Sequence, residues 1–227
     1  MMVQLIRQAG FHFDSISAYA QARAAVNVFG MTSVTGPPET WLIEAHDSFG
    51  SIEAVHEAVH SALPDTGVGD PSNFLSGEAL AQSRTLIGVY RPWFSYRPDQ
   101  AARLLSRTRY FSVTLYRIRS GADSEFLELL KARKDFFDSV NLDRPEIAYQ
   151  VISGAPSATY LLLAPLTSLK TLDESLGKSV RAEPGHKSGS QIELSRSHLL
   201  FQVRPRISYV SDEFASEFPE FWRPSGR

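Results

Sequence analysis

The sequence predicts an α+β fold, with two tandem βαββαβ halves whose antiparallel sheets join into an intrachain α/β barrel. Three observations predict it. An eleven-residue stretch occurs twice, as L-I-G-V-Y-R-P-W-F-S-Y at Leu86–Tyr96 and L-L-F-Q-V-R-P-R-I-S-Y at Leu199–Tyr209. Arg-Pro and the closing Ser-Tyr hold the same places, and the offset, 204 − 91 = 113, is half of the 227 residues. Repetition at a fixed period marks a duplicated unit. Each half also runs through the same order of strand-period and helix-period segments. Finally, Pro92 and Pro205 fall inside the last strand-like segment of each half. Proline cannot donate to an interior ladder and reads as an edge strand. Two exposed edges are a hazard that pairing removes by closing the sheet.

The elements follow in order. Val3–Ala9 alternates as a strand, with Gln4, Ile6 and Gln8 on one face. Ser15–Phe29 has helical spacing, a cap at Asp14 or Ser15 and a stop at Gly30. Met31–Thr35 and Trp41–His46 form a hairpin around Gly36-Pro37-Pro38. Ser51–Leu63 is a helix capped by Ser51, a loop with a short helical turn at Glu78–Gln82 covers Asp65–Ser83, and Thr85–Tyr96 closes the half. Arg97–Arg109 is a connector with a short helix. Tyr110–Arg119 alternates Phe111, Val113 and Leu115 against Ser112, Thr114 and Tyr116. Asp123–Val140 is an amphipathic helix, Glu146–Ile152 and Thr159–Ala164 are strands, and Ser168–Leu176 is a helix. Gly177–Ser195 is a loop, and Leu199–Tyr209 is the last strand. The expected divisions are residues 1–97, a linker 98–109, residues 110–210, and a tail 211–227 whose aromatics pack on the body. Trp41-Leu-Ile-Glu-Ala45 is matched to Tyr160-Leu-Leu-Leu-Ala164.

Composition narrows the function. Apolar residues make up 43% and charged residues 21%, as in an ordinary globular chain. The formal charge of −2 gives no general pull toward nucleic acid, and the arginines of the connector read as a solvated linker. There is no cysteine, hence no disulfide, thiolate metal site or cysteine nucleophile. No run of about 18 apolar residues marks a membrane span. The first residues read as a strand, not a signal peptide, so a cytoplasmic location is expected.

With R-P-x-x-S-Y at the end of both βαββαβ halves, the chain resembles the dimeric α/β-barrel superfamily, built from ferredoxin-like halves, in a tandem form. Antibiotic-biosynthesis monooxygenases, stress-responsive barrel proteins and NIPSNAP-type proteins belong to that group. The resemblance implies a small-molecule-binding barrel of the cofactor-independent oxygenase or isomerase kind. It implies no catalytic signature.

Two places carry candidate chemistry. On the third strand, Leu42, Glu44 and His46 share a face opposite Trp41, Ile43 and Ala45, and are expected to point into the barrel. A carboxylate two residues from an imidazole is a workable acid–base pair, so Glu44 and His46 are the candidate catalytic residues. Gln4, Gln8 and Arg91 are expected beside them as ligand-binding residues. The matched positions in the second half are Leu163 and Pro165. His56-Glu57-Ala58-Val59-His60 fits the H-E-x-x-H pattern, in which two histidines one helical turn apart hold zinc and the glutamate activates water. A zinc hydrolase, or a haem held by His56 or His60, is the alternative, although the matched helix has no histidine. No other cofactor is expected. The loop at Glu183–Ser190 is flexible and mildly basic and reads as a connector. A third reading is a non-enzymatic stress or assembly protein that self-associates through strand edges or its aromatic tail.

Overall fold

The computed structural model describes residues 2–8, 27–62, 80–179 and 191–223, with backbone alone at 2–8, 59–62, 80–83 and 175–179. The first half shows β1 (Met2–Gln8), β2 (Val28–Ser33), β3 (Glu39–Glu44), α1 (Phe49–Ala62) and β4 (Leu80–Tyr90). The connector holds α2 (Pro98–Leu104). The second half is complete: β5 (Tyr110–Ile118), α3 (Asp123–Ser139), β6 (Ile147–Ser153), β7 (Thr159–Leu166), α4 (Lys170–Ser179) and β8 (Glu193–Val203). Two short helices, α5 (Asp212–Ser216) and α6 (Pro219–Trp222), end the description. The body of the helix expected at Ser15–Phe29, and the loop expected at Glu183–Ser190, lie outside the described residues.

Hydrogen-bonded strands follow the order β1-β3-β2-β8-β5-β7-β6-β4, that of a closed barrel. Each half therefore has the order fourth-first-third-second, with all described ladders antiparallel. The fold class is the expected one. The chain forms two compact units, Met1–Ile87 with Phe201–Arg227, and Gly88–Leu200. Among the described residues no helix is long and apolar enough to cross a membrane.

In the second unit the apolar run of β7 is buried at every position, as a strand covered on both faces must be. Phe126, Leu130 and Phe137 make the buried face of α3. Phe126 packs its ring 4.8 Å from Tyr160 and 5.1 Å from Tyr116, over a cluster that includes Ala148 and Leu162. In the first unit the tail packs on β2, where the Phe29 ring meets Phe214 and Trp222 edge-on at 5.5 and 5.8 Å.

The repeated R-P-x-x-S-Y differs from expectation in one respect. Its prolines are not inside strands. β4 ends at Tyr90 and β8 at Val203, and Pro92 and Pro205 each open a 3-10 turn, Pro92–Phe94 and Pro205–Ile207. A fixed φ and a missing N–H suit proline to the first position of such a turn. The preceding arginines share one conformation, φ −125, ψ 92 at Arg91 and φ −120, ψ 100 at Arg204. Ser95 Oγ donates to Arg91 O at 3.0 Å and accepts from Ala148 N at 2.9 Å. Ser208 Oγ donates to Arg204 O at 2.8 Å and accepts from Gly30 N at 2.9 Å. Tyr96 then exchanges backbone bonds with Glu146, and Tyr209 with Val28. The motif is a brace that stitches a turn onto the start of a strand: β6 in the second unit, β2 in the first.

The brace explains Gly30, which is not a helix stop but a strand residue. A Cβ there would lie 2.1 Å from Ile207 O, so the close approach of the turn requires glycine. Val28 and Phe29 are accordingly strand where helix was expected, and Gly30 is strand where the helix stop was expected.

Gly30→Ala forces that backbone contact apart and is expected to cost ~1–3 kcal/mol, the range for overpacking. Ser208→Ala leaves the Gly30 N–H unsatisfied and should cost about 1–3 kcal/mol. Urea unfolding of both variants checks this; a wild-type midpoint for Gly30→Ala would show that the turn does not sit against β2.

Candidate active site

Glu44 ends β3 and His46 lies two residues beyond it, where the chain turns into α1. Glu44 Oε2 and His46 Nε2 are 2.9 Å apart, with side chains 0% and 1% exposed. His46 Nδ1 lies 3.3 Å from Ser51 Oγ. The α1 cap is Ser48, not Ser51: Ser48 Oγ accepts from Ser51 N at 3.1 Å, and Ser51 Oγ donates to Ser48 O at 2.9 Å. His46 thus bridges Glu44 and Ser51 through its two ring nitrogens. The expected pair thus exists, but it is tied to the first turn of α1 and closed to solvent.

Its direction differs from expectation because the two halves align one residue away from the match read in the sequence. Gly30 and Ala148 receive the equivalent serine hydroxyls, and opposite them stand Leu42 and Leu162. Glu44 therefore corresponds to Ala164 and His46 to Leu166, not to Leu163 and Pro165. A slip of one residue reverses the face of a strand. Leu162 packs with α3, so the matching Leu42 and Glu44 take the helix-bearing face, in agreement with the contact to Ser51. They do not point into the barrel.

Gln4 stands in register with Leu42 and Gln8 with Leu80; their side chains lie outside the described residues. Arg91 belongs to the other unit. Its Nε and Nη2 donate to Gln150 Oε1 at 2.9 and 2.6 Å. Gln150 donates in turn to Tyr160 OH, which donates to Asp123. Burial, then the bond to Asp123, raises the Tyr160 pKa, so the phenol keeps its proton. His56 is exposed on α1, and the His60 side chain is outside the described residues. Among the described residues no three His, Asp or Glu side chains gather as a metal site. His46 and His198 each engage both ring nitrogens with protein groups, so neither fits a zinc or haem ligand.

A polar cluster in the second unit escaped the sequence. Ser112 and Thr114 share a face of β5 with Tyr116 and are 2% and 3% exposed. Arg196 and His198 share a face of β8 and are exposed. Thr114 Oγ1 lies 3.0 Å from His198 Nδ1, and Ser112 Oγ 3.3 Å from Nε2. Arg144 Nη2 donates to Ser112 Oγ at 2.6 Å. In the tautomer with Nε2 unprotonated, Ser112 gives its own proton to Nε2 and Nδ1–H is given to Thr114. Behind them Glu146 accepts from both Arg133 nitrogens at 2.6 and 2.7 Å, with Arg144 Nε 3.7 Å away. Burial opposes the Glu146 charge, but Arg133 and Arg144 outweigh it and hold the carboxyl below its usual range. Burial, followed by Arg144 and Arg196, lowers the His198 pKa, so its imidazole is neutral at pH 7. The arrangement is a neutral base between two hydroxyls, with guanidinium groups beside it.

No protein-family profile and no curated protein sequence matches the chain. Solved structures do. A candidate monooxygenase from Lactobacillus acidophilus NCFM superposes with a TM-score of 0.56 at 6% identity, over 92% of this chain and 94% of that one. An anthrone oxidase-like protein gives 0.60 at 11% identity, over 89% and 90%. Chlorite dismutase from Candidatus Nitrospira defluvii gives 0.53 at 7% identity, over 96% and 94%. The chain thus has the fold of the dimeric α/β-barrel superfamily, with both ferredoxin-like halves in one polypeptide. The particular proteins it is similar to are described as a candidate monooxygenase, an anthrone oxidase-like protein and a chlorite dismutase, and at these identities the likeness is one of fold.

Glu44→Ala strands His46 in a sealed site and should cost ~3–5 kcal/mol, whereas Glu44→Ala with His46→Leu, the pair the second half carries, recovers most of it. Thermal unfolding of the two variants checks this; equal losses would contradict the pairing. Glu146 has a depressed folded pKa, so its contribution is full above the ordinary value of 4.5 and lost as pH falls through the lower folded value. Glu146→Gln should therefore be less stable than wild type at neutral pH, with the gap closing in acid. A gap that stays constant from neutral to acid pH would count against the ion pair.

Proposed function

We propose that the chain binds a small enolisable molecule and removes its proton, as a cofactor-independent oxygenase or isomerase does in its first step. The observation that carries this is the setting of His198: exposed, neutral at pH 7, fixed by Ser112 and Thr114, and flanked by Arg144 and Arg196. The 3.3 Å contact to Ser112 is at the long end for a hydrogen bond, so an acidic C–H or O–H of a ligand displaces it at Nε2 with little loss. Nδ1–H stays on Thr114 and holds the ring in place. As the proton leaves, negative charge develops on the ligand oxygen, and a guanidinium beside it stabilises that charge. An isomerase returns the proton at a second carbon. An oxygenase passes the carbanion's electrons to dioxygen. The likeness to candidate monooxygenases and an anthrone oxidase-like protein supports a reaction of this kind. The sealed Glu44–His46 pair has no part in it.

Anthrone is a suitable probe, since its deprotonated form reacts with one dioxygen to give anthraquinone and one water. The full chain should accelerate oxygen uptake with anthrone, and His198→Ala should remove about 10²–10⁴-fold of that rate. Because the base works only unprotonated, the rate should fall as pH drops through a midpoint below the ordinary histidine value of 6.5 and stay level above it. Oxygen uptake no faster than in buffer, or an unchanged rate in His198→Ala, would sink the proposal.

A further inference from the structure

Among the described residues the charges around His198 do not balance. The largest charge influences on the ring are those of Arg144, Arg196 and Arg133, against that of Glu146. That carboxylate is committed, with both oxygens on Arg133. Arg144 gives Nη2 to Ser112, and its buried Nε has no hydrogen-bond acceptor. Arg196 lies over the Tyr116 ring, 5.3 Å from its centroid, and is exposed. It stands two residues before His198 on β8, hence on the same face. Glu193, at the start of the same strand, acts on Tyr116. The open side of the cluster thus presents a guanidinium fork and an imidazole over buried hydroxyls, with positive charge left over.

We propose that this surface binds the carboxylate of a small organic acid, with Arg196 as its principal contact and Arg144 supplying charge from behind. A planar guanidinium matches a carboxylate's two oxygens with two parallel hydrogen bonds. The inference rests on the same site as the proposed reaction but not on the reaction itself. It adds the substrate class: an enolisable molecule that also carries a carboxylate.

The test uses the full chain, with benzoate as probe and benzyl alcohol as its neutral counterpart, followed by imidazole NMR signals. Benzoate should shift the His198 signals saturably and move the His198 titration midpoint upward, while benzyl alcohol does neither. Arg196→Gln, a surface change that leaves the Ser112 and Glu146 contacts intact, should weaken benzoate about tenfold or more, the loss of a charged hydrogen bond. Absence of saturable shifts with benzoate, or equal affinity in Arg196→Gln, overturns the proposal. So does binding of inorganic phosphate where benzoate fails. Anthrone is uncharged, so its turnover without benzoate binding would remove the carboxylate site alone. Benzoate binding without turnover would remove only the reaction.

Discussion

A serine hydroxyl holds this structure in register. In each R-P-x-x-S-Y it bridges the arginine carbonyl behind it and a strand N–H far away in sequence, Ala148 in one case and Gly30 in the other. In the second unit the consequences run outward from that bond. The brace pairs Tyr96 with Glu146 through both backbone groups, which fixes the carboxylate just before β6. Glu146 takes both nitrogens of Arg133 and stands close to Arg144. Arg144 orients Ser112, and Ser112 faces His198. A buried carboxylate would be untenable without those cations, and two crowded guanidiniums would be untenable without the carboxylate. The site is therefore built on a backbone contact, not on a loop.

The first unit has the same brace and none of the same chemistry. Where Glu146 pairs with Tyr96, Val28 pairs with Tyr209, and Val28 is fully buried. Where Ala148 has room for a methyl group, Gly30 has none. The turn after β8 sits deeper on its strand, with Ile207 driven against Gly30 and sealed from water. Among the described residues, that half has a buried carboxylate–imidazole contact elsewhere, at Glu44 and His46, where it ties β3 to the cap of α1. One architecture is thus used once to place charges at a surface and once to close a core.

Much of the fold was legible in the sequence because R-P-x-x-S-Y is a local device with a local cause. Proline, serine and tyrosine act over six residues, so their recurrence showed in the letters alone. The strand order followed from the order of elements. The site was less legible, for two reasons. Trp41–Ala45 matches Tyr160–Ala164 by eye, but only the hydrogen bonds at Gly30 and Ala148 show that the true match is one residue on. That single step reversed the direction assigned to Glu44 and His46. His198 was missed because E-L-S-R-S-H, the first part of β8, lacks the β-branched or aromatic alternation that announces a strand. Its strand state comes from pairing with β5, a tertiary effect. Had the strand been recognised, Arg196 and His198 would have fallen on one face, opposite the hydroxyls of Ser112 and Thr114.

The same cations that stabilise a developing anion also oppose the imidazolium that must form beside it. Arg144 and Arg196 lower the basicity of His198, so proton transfer from an uncharged ligand puts a positive charge where the field already resists one. Glu146 offsets only part of this, since Arg133 claims both its oxygens. A ligand that arrives with its own negative charge changes the balance. It neutralises Arg196, removes one of the fields acting on the ring, and restores base strength at the moment of binding. In an empty site the histidine is a poor base; with an anion seated beside it, it becomes a better one. On the proposed reading, charge surplus and proton acceptor are two parts of one device, in which binding an anionic ligand strengthens the base that reacts with it.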